Sequence, residues 1–485
     1  MSVYAALRDE FAKIMSSKHE IAPSFEFLDT CYKGSLKDML DVPEEKWGWL
    51  GSSFLATSTF AGNQEDEQGL NHSALRFTLH HVHGHGSPLT SQSPLSFSDL
   101  LSRDQARVTH LNSRLTKNIT SSVTENLFGS NLVTTPVNSD TSVGVGRYYI
   151  KVGLGTPPTY YPVIVDTGSY ISWVQCKPCE VYCHPQVVPY FDPSASSTYK
   201  RLSCTTPECN SLNRRGCTSS DECLYEVIYE DKSYTVGYLS QDSLSLSPSE
   251  TLPGFVFGCG QNNNGTFAGS GGLFGLGRNK LSMVSQLSTK YGNGFSYCLP
   301  TASGGSGGSL SIGRDSLTGP PYKFTPMLPI QQETGYYFLK LSAIVVAGRT
   351  LQGVSEADYN IPTILDSGTT LTYLHPSVYA ALRDEFKKIL STKHEALPSS
   401  SYACYKGSMK ELSTDVPEIR LVFEGEAELT LASQNILFDG RGITCLAFGT
   451  LDPNLAVVGY TQQQTYGVAY DVSNSRIGFA AGGCS

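Results

Sequence analysis

The sequence predicts an all-β body built as two similar halves, and three observations predict it. First, 46 Gly, 25 Pro, 27 Tyr and 21 Phe among 485 residues, with only 16% charged residues, suit short strands and turns and argue against a helical bundle. Second, from Tyr148 to Cys484 short apolar stretches are punctuated by Gly, Pro and Asn, as strands joined by turns are. Third, one peculiar segment occurs twice, as Val163-Ile164-Val165-Asp166-Thr167-Gly168-Ser169 and as Thr363-Ile364-Leu365-Asp366-Ser367-Gly368-Thr369. The length exceeds one ordinary core and implies two or three units, or one large two-lobed unit with an extension.

In chain order, residues 1–62 form an atypical N-terminal segment. Val3 to Ser24 match Val378 to Ser399 at 17 of 22 positions, and CYKGS recurs at Cys31 and Cys404, followed in both copies by DVPE. Two copies so far apart cannot stack as solenoid neighbours, so the repeat reads as a misjoined or fused gene segment, or as a regulatory mimic of its twin. The first thirty residues are amphipathic and charged, unlike a signal peptide; Trp47 to Gly62 is the best candidate for a degraded signal core.

Residues 63–136 read as a propeptide-like segment and linker. Arg76 to Leu89 alternates as a short strand, and Phe97, Leu100, Leu101, Val108, Leu111 and Leu115 recur at helical spacing, with Arg103, Arg107 and Arg114 among them. His80, His81, His83 and His85 read as solvated side chains, with a metal site or a pH sensor as alternatives. A polar Ser/Thr-rich stretch follows, suited to proteolytic clipping. The halves are then expected at 137–330 and 331–485.

Cys176, Cys179, Cys183, Cys204, Cys209, Cys217 and Cys223 crowd into 48 residues of the first half. The spacing of Cys176, Cys179 and Cys183, with His184 next, resembles zinc ligation, but no second matched pair follows, so disulfides are the leading reading. With Cys259, Cys298, Cys404, Cys445 and Cys484, and Cys31 set aside, twelve cysteines allow six bridges and imply an oxidising compartment.

Each repeated motif delivers an Asp from an apolar strand into a tight turn. Gly168 and Gly368 permit close backbone approach, while Thr167, Ser169, Ser367 and Thr369 can donate hydrogen bonds to a carboxylate or brace the opposite loop. Leu273-Phe274-Gly275 and Val457-Val458-Gly459 are later partners of the two motifs. If the halves bring Asp166 and Asp366 together, the two carboxyls cannot both ionise cheaply. One then stays protonated, and the pair is a general acid and a general base in one.

With YYIKVGLGTPP, VDTGS, WVQCKPC, FDPSASSTY, YTVGYLSQDSLSL, FGCG, LFGLGR, ILDSGTTLTYL and VSNSRIGFA, the chain from Tyr148 to Cys484 resembles the plant nepenthesin-like branch of pepsin-like aspartic proteases. The resemblance implies a bilobal pepsin-like double β-barrel with a central cleft, preceded by an α/β prosegment. It implies peptide hydrolysis at acid pH by Asp166 and Asp366 acting on a water, the shared-proton chemistry for which aspartic proteases are the type case. It also implies a flap tyrosine at Tyr229, with Trp173 as the indole bonded to it, although either is also readable as a strand or core aromatic. A removable propeptide is implied too, whose basic side chain occupies the cleft at neutral pH; Arg76 and the four histidines are the expected latch. Cys404 and Cys445 are expected to pair.

Three departures from the branch stand out. Tyr229-Glu230-Asp231-Lys232-Ser233 lacks both flap glycines, Gly459-Tyr460 replaces Gly-Asn, and Tyr170 follows the first motif. These bear on rate and specificity and leave a runner-up reading, a weak or inert relative that binds a protein or glycan. The net charge of −9 and the absence of a basic tract argue against nucleic acid as a partner. No run of about 18 or more apolar residues is present to span a bilayer. The expected partner is a peptide or protein substrate of a monomer, with no cofactor and no metal. The secretory route (apoplast or vacuole) follows from the cysteines and the sequon Asn264-Gly265-Thr266, with the chloroplast as alternative.

Overall fold

A computed structural model of the chain describes residues 74–84, 87–89, 97–120 and 148–484, apart from 230–232, 266, 302–307, 330–334, 399–400, 441 and 452–453. The duplicated segment 1–62 with Cys31, the linker and the flap residues Glu230, Asp231 and Lys232 lie outside the described residues.

The two motifs fold alike because each apolar run is buried on both faces, as a strand enclosed in a sheet must be. Thr159–Asp166 lies between Tyr148–Leu154, antiparallel to it, and Gly272–Gly275, parallel to it with Gly275 opposite Asp166. Thr363–Leu365 lies between Phe338–Leu339, antiparallel, and Ala456–Val458, parallel with Leu365 opposite Val458. In each half a further strand returns antiparallel: Trp173–Gln175 on Gly272–Gly275, and Thr372–Leu374 on Ala456–Val458. Trp173 and Tyr373, equally spaced after their Asp residues, thus hold equivalent positions. The result is an all-β, bilobal fold of the pepsin-like type, with strands from both halves, Phe295–Cys298 and Gly467–Asp471 among them, joined in one sheet.

The segment ahead of the halves is built into this frame. Strand β1 (Ala74–His81) pairs antiparallel with Gly308–Gly313 and, through His80 and His81, with Tyr149 and Tyr148. Its alternation sends Phe77 and Leu79 into the core and leaves Arg76 and Thr78 exposed. Helix α1 (Phe97–Thr120) buries Leu100, Val108 and Leu111 in one cluster with Tyr336, Phe338, Tyr373 and Leu455 of the second half.

Six disulfides close the described cysteines. Cys176–Cys259 ties the end of strand Trp173–Gln175 to Glu250–Asn264, and Cys179–Cys183, Cys204–Cys217 and Cys209–Cys223 staple the insertion. Cys298–Cys484 ties the first half to the C-terminal end of the second, and Cys404–Cys445 closes a loop within the second half. The C-terminal twin of the repeat is the helix Pro376–Leu390, which buries Val378, Tyr379, Leu382, Phe386 and Leu390. Among the described residues no helix is long and apolar enough to cross a membrane, and no three His, Cys, Asp or Glu side chains gather to hold a metal ion.

Candidate active site

Asp166 and Asp366 come together at the ends of their strands, both fully buried. Their loops grip each other: Thr167 N donates to Ser367 Oγ at 3.2 Å, and Ser367 N donates to Thr167 Oγ1 at 3.0 Å. This reciprocal pair is the molecular form of the internal duplication, each half satisfying a buried amide of the other. Within each loop one hydroxyl and one amide serve the carboxylate. Ser169 Oγ donates to Asp166 Oδ2 at 2.5 Å and Gly168 N to Asp166 Oδ1 at 3.0 Å, while Thr369 Oγ1 and Gly368 N (3.3 Å) do the same for Asp366. The glycines are steric requirements as well. A Cβ on Gly168 would stand 2.9 Å from Asp366 Oδ1 and 2.7 Å from Arg107 Nη2, and one on Gly368 would fall inside the same guanidinium.

Arg107 of α1 fills the space between the carboxylates. Its Nη2 reaches Asp166 Oδ1 at 2.7 Å and Asp366 Oδ1 at 2.7 Å, and its Nε reaches Asp366 Oδ2 at 2.5 Å. Burial works to raise the Asp366 carboxyl, yet the Arg107 charge and hydrogen bonds from Arg107, Thr369 and Gly368 outweigh it and hold Asp366 below the usual carboxylate range. Burial likewise works against the guanidinium charge, and the two aspartates more than restore it. One turn earlier on α1, Asp104 accepts hydrogen bonds from the amides of Thr370 (3.0 Å) and Leu371 (2.7 Å), directly after the second motif. Burial pushes the Asp104 carboxyl up to about 6, with the two amides acting against the rise.

The latch expected at Arg76 and the histidines is therefore corrected: the cation between the carboxylates is Arg107. The strand period explains the change, since Arg76 stands opposite Ser311 on the exposed face of β1. His80 stacks on Tyr149 and His81 packs edge-on to Tyr148 and Tyr460, so these imidazoles dock β1; His85 lies outside the described residues. Asp104 escaped the sequence reading altogether. The signal was present, because Asp104 and Arg107 share a helical stripe with Leu100, Val108 and Leu111.

Trp173 is fully buried and donates from Nε1 to Tyr229 Oη at 2.8 Å, with Tyr229 only 8% exposed. Tyr460, standing where the branch carries Asn, is buried and packs edge-on to Tyr148. Tyr170 is partly buried against the cluster that holds Trp173. The zinc alternative for Cys176, Cys179 and Cys183 gives way to disulfides, which engage all three sulfurs.

Comparison with known proteins agrees with this architecture. Residues 148–314 match the xylanase inhibitor N-terminal family and residues 336–481 the xylanase inhibitor C-terminal family. An aspartyl protease family protein of Arabidopsis thaliana is 37% identical over 432 residues, spanning 85% of this chain and 88% of its own length. Aspartic proteinase nepenthesin-2 of Nepenthes gracilis is 33% identical over 375 residues, spanning 75% and 83%. Among solved structures, the basic 7S globulin from soybean superposes with a TM-score of 0.55 at 21% identity, covering 69% of this chain and 92% of its own, a likeness of fold alone. With a third to two fifths of its residues shared with named aspartic proteases over most of its length, the chain belongs to the plant nepenthesin-like family of pepsin-like aspartic proteases.

Proposed function

We propose that this protein is a latent aspartic endopeptidase that cleaves protein substrates at acid pH once α1 has left the cleft. The observation that carries the reading is the pair of buried, symmetrically supported carboxylates at Asp166 and Asp366 sharing one guanidinium. Two carboxylates this close keep one proton between them when no cation is present. The ionised member then takes a proton from a water as its oxygen attacks the peptide carbonyl carbon, and the protonated member donates to the carbonyl oxygen. Collapse of the resulting diol breaks the C–N bond, with a proton returned to the leaving nitrogen. Ser169 and Thr369 hold each carboxyl in place through the cycle, and Tyr229, fixed by Trp173, closes over a peptide bound as an extended strand.

Arg107 makes this site latent at neutral pH. Its ion pair with Asp366 is intact above the ordinary carboxylate range, near 4, and is lost as pH falls below it, so acid frees the cleft. Clipping in the 121–147 stretch would make release permanent. Six disulfides support an oxidising compartment and hence the secretory route, with the mature protein acting as a monomer in this reading.

Incubating the full-length chain with a denatured protein at pH 3 to 5, with and without pepstatin and beside Asp166→Asn, tests the reading. Pepstatin-sensitive cleavage that the substitution abolishes is expected. A folded, fully bridged sample that cleaves nothing across this range would instead favour a non-catalytic binding role, the kind of role for which the two matched xylanase inhibitor families are named.

A further inference from the structure

His184 enters the first half directly after the Cys179–Cys183 bridge, and the Cys176–Cys259 bridge pins the same turn of chain to the neighbouring strand. The imidazole is driven inside, with 3% of the residue exposed. Its Nε2 lies 3.0 Å from the carbonyl oxygen of Ser270. A carbonyl only accepts, so the ring proton sits on Nε2. The nearby Gln175 amide nitrogen, 3.1 Å from Nε2, is a donor already engaged with the His184 carbonyl at 3.0 Å and with Gln186 Oε1 at 2.6 Å. Nδ1 is left buried as a bare lone pair with no hydrogen-bond partner.

Around the ring stands an aromatic box that ends at the flap. His184 lies 4.9 Å from Phe267 and edge-on to Trp173 at 6.3 Å, and Phe267 in turn packs edge-on to Trp173 at 4.9 Å and to Tyr229 at 5.9 Å. The Trp173 to Tyr229 hydrogen bond closes the circuit. The groups facing the imidazole are Trp173 and Gln175 from their strand and Phe267 and the Ser270 carbonyl from the turn that ends at Ser270, while Gln186 and Tyr190 of its own segment bond the Gln175 amide and the His184 backbone carbonyl. Burial pushes the imidazole down to about 4, opposed only by the Ser270 carbonyl, with no charged side chain contributing. A second proton would have to sit on Nδ1, creating a buried cation with an unanswered N–H. Aromatic faces return only part of that desolvation cost.

We propose that His184 is a positioning residue for the flap: as a neutral imidazole it wedges Phe267 and Trp173 against Tyr229, and proton uptake at its buried Nδ1 loosens this box and sets the acid limit of activity. Its claim about activity rests on the endopeptidase reading; the claim about the box does not. The protein thus has two acid events, opening of the Arg107 latch and failure of the flap support.

Only three tryptophans occur in the chain, so Trp47→Phe and Trp49→Phe leave Trp173 as the single reporter. In the full-length chain with those changes and Asp166→Asn to prevent self-cleavage, Trp173 emission is followed from pH 7 to 3. The expected result is a reversible transition with a midpoint near pH 4, missing from both His184→Phe and His184→Gln, the latter able to donate to the Ser270 carbonyl. A transition that persists in either folded variant, or none in the parent, overturns the proposal. In acid-activated enzyme with Asp166 intact, the acid limb of kcat/KM should move down by about one pH unit in both variants, each normalised to its own maximum. A limb that stays put overturns the link to activity. If the parent cleaves nothing at any pH, the endopeptidase reading fails while the fluorescence titration still decides the role of His184.

Discussion

Replacing Arg107 by Met tests the latch directly, because Met keeps much of the side-chain volume and removes the charge. Arg107 makes three close contacts with the two carboxylates, and its side chain is only 12% exposed, so the solvent screening that weakens surface ion pairs is largely absent. Removing one partner of such a buried arrangement costs about 3–5 kcal/mol, which converts to between roughly 10²-fold and a few thousandfold in the balance between closed and open cleft. The substitution acts on the closed state alone, since in the open state Arg107 is solvated. Full-length Arg107→Met should therefore cleave a quenched-fluorescent peptide at pH 5 to 6, where the parent is closed, with the half-activation pH raised by a unit or more. Arg107→Lys, which keeps a charge but loses the fork that spans both aspartates, should fall between the two. Equal activation profiles for parent and Met variant, in samples with matching circular dichroism and thermal midpoints, would refute the latch.

Three further outcomes follow from the same geometry. Asp104, whose carboxyl is raised to about 6 in the closed state, takes up a proton as pH falls through that value, so its protonation favours closure while protonation of Asp366 favours opening; Asp104→Asn, neutral at every pH, should stay closed at least as far into acid as the parent and open with a steeper pH dependence, and an unchanged slope would refute the opposition. Thr167→Val leaves the Ser367 amide without its 3.0 Å acceptor and should lower stability by about 1–3 kcal/mol; a calorimetric midpoint within a degree of the parent would show that the grip is dispensable. Joint replacement of Cys404 and Cys445 by Ser opens a loop with a sequence separation of 41 residues and should cost about 4 kcal/mol by chain entropy, and peptide mapping that finds either thiol free in the parent would contradict the pairing.

The parts of this molecule legible in the sequence are those whose chemistry is local. An Asp at the end of an apolar run, with Gly two residues on and hydroxyls beside it, carries its own hydrogen-bond partners; Ser169 and Thr369 reach their carboxylates within the same turn. Repetition of that turn supplied the symmetry, and with it the fold. Tyr229 and Trp173 were expected only through the resemblance to the family, since nothing local in either strand marks them out. The latch was misplaced because choosing among basic residues depends on contacts that span 59 and 259 residues. Even so, the strand period argued against Arg76: with Phe77 and Leu79 inward, Arg76 could only face out with Thr78. His184 was opaque for a different reason, because its apolar surroundings exist only after Cys176 has met Cys259, 83 residues away.

The stripe on α1 shows how such long-range chemistry can still leave a local mark. A helix that buries Leu100, Val108 and Leu111 has no apolar reason to place Asp104 and Arg107 on the same face, and an isolated charge there would cost more than the helix could recover from packing. Both charges are tolerable only if the surface they meet supplies an opposite charge or free hydrogen-bond donors. The second motif and the two residues after it supply both within six residues, the Asp366 carboxylate for Arg107 and the amides of Thr370 and Leu371 for Asp104. An acidic and a basic residue one turn apart inside an apolar stripe therefore specify a docking surface with a buried carboxylate and unpaired amides side by side. In this chain the loop after Leu365 has both. The helix and the dyad are complementary halves of one electrostatic arrangement, and the pH at which they part is set by Asp366 and Asp104 together rather than by the arginine alone.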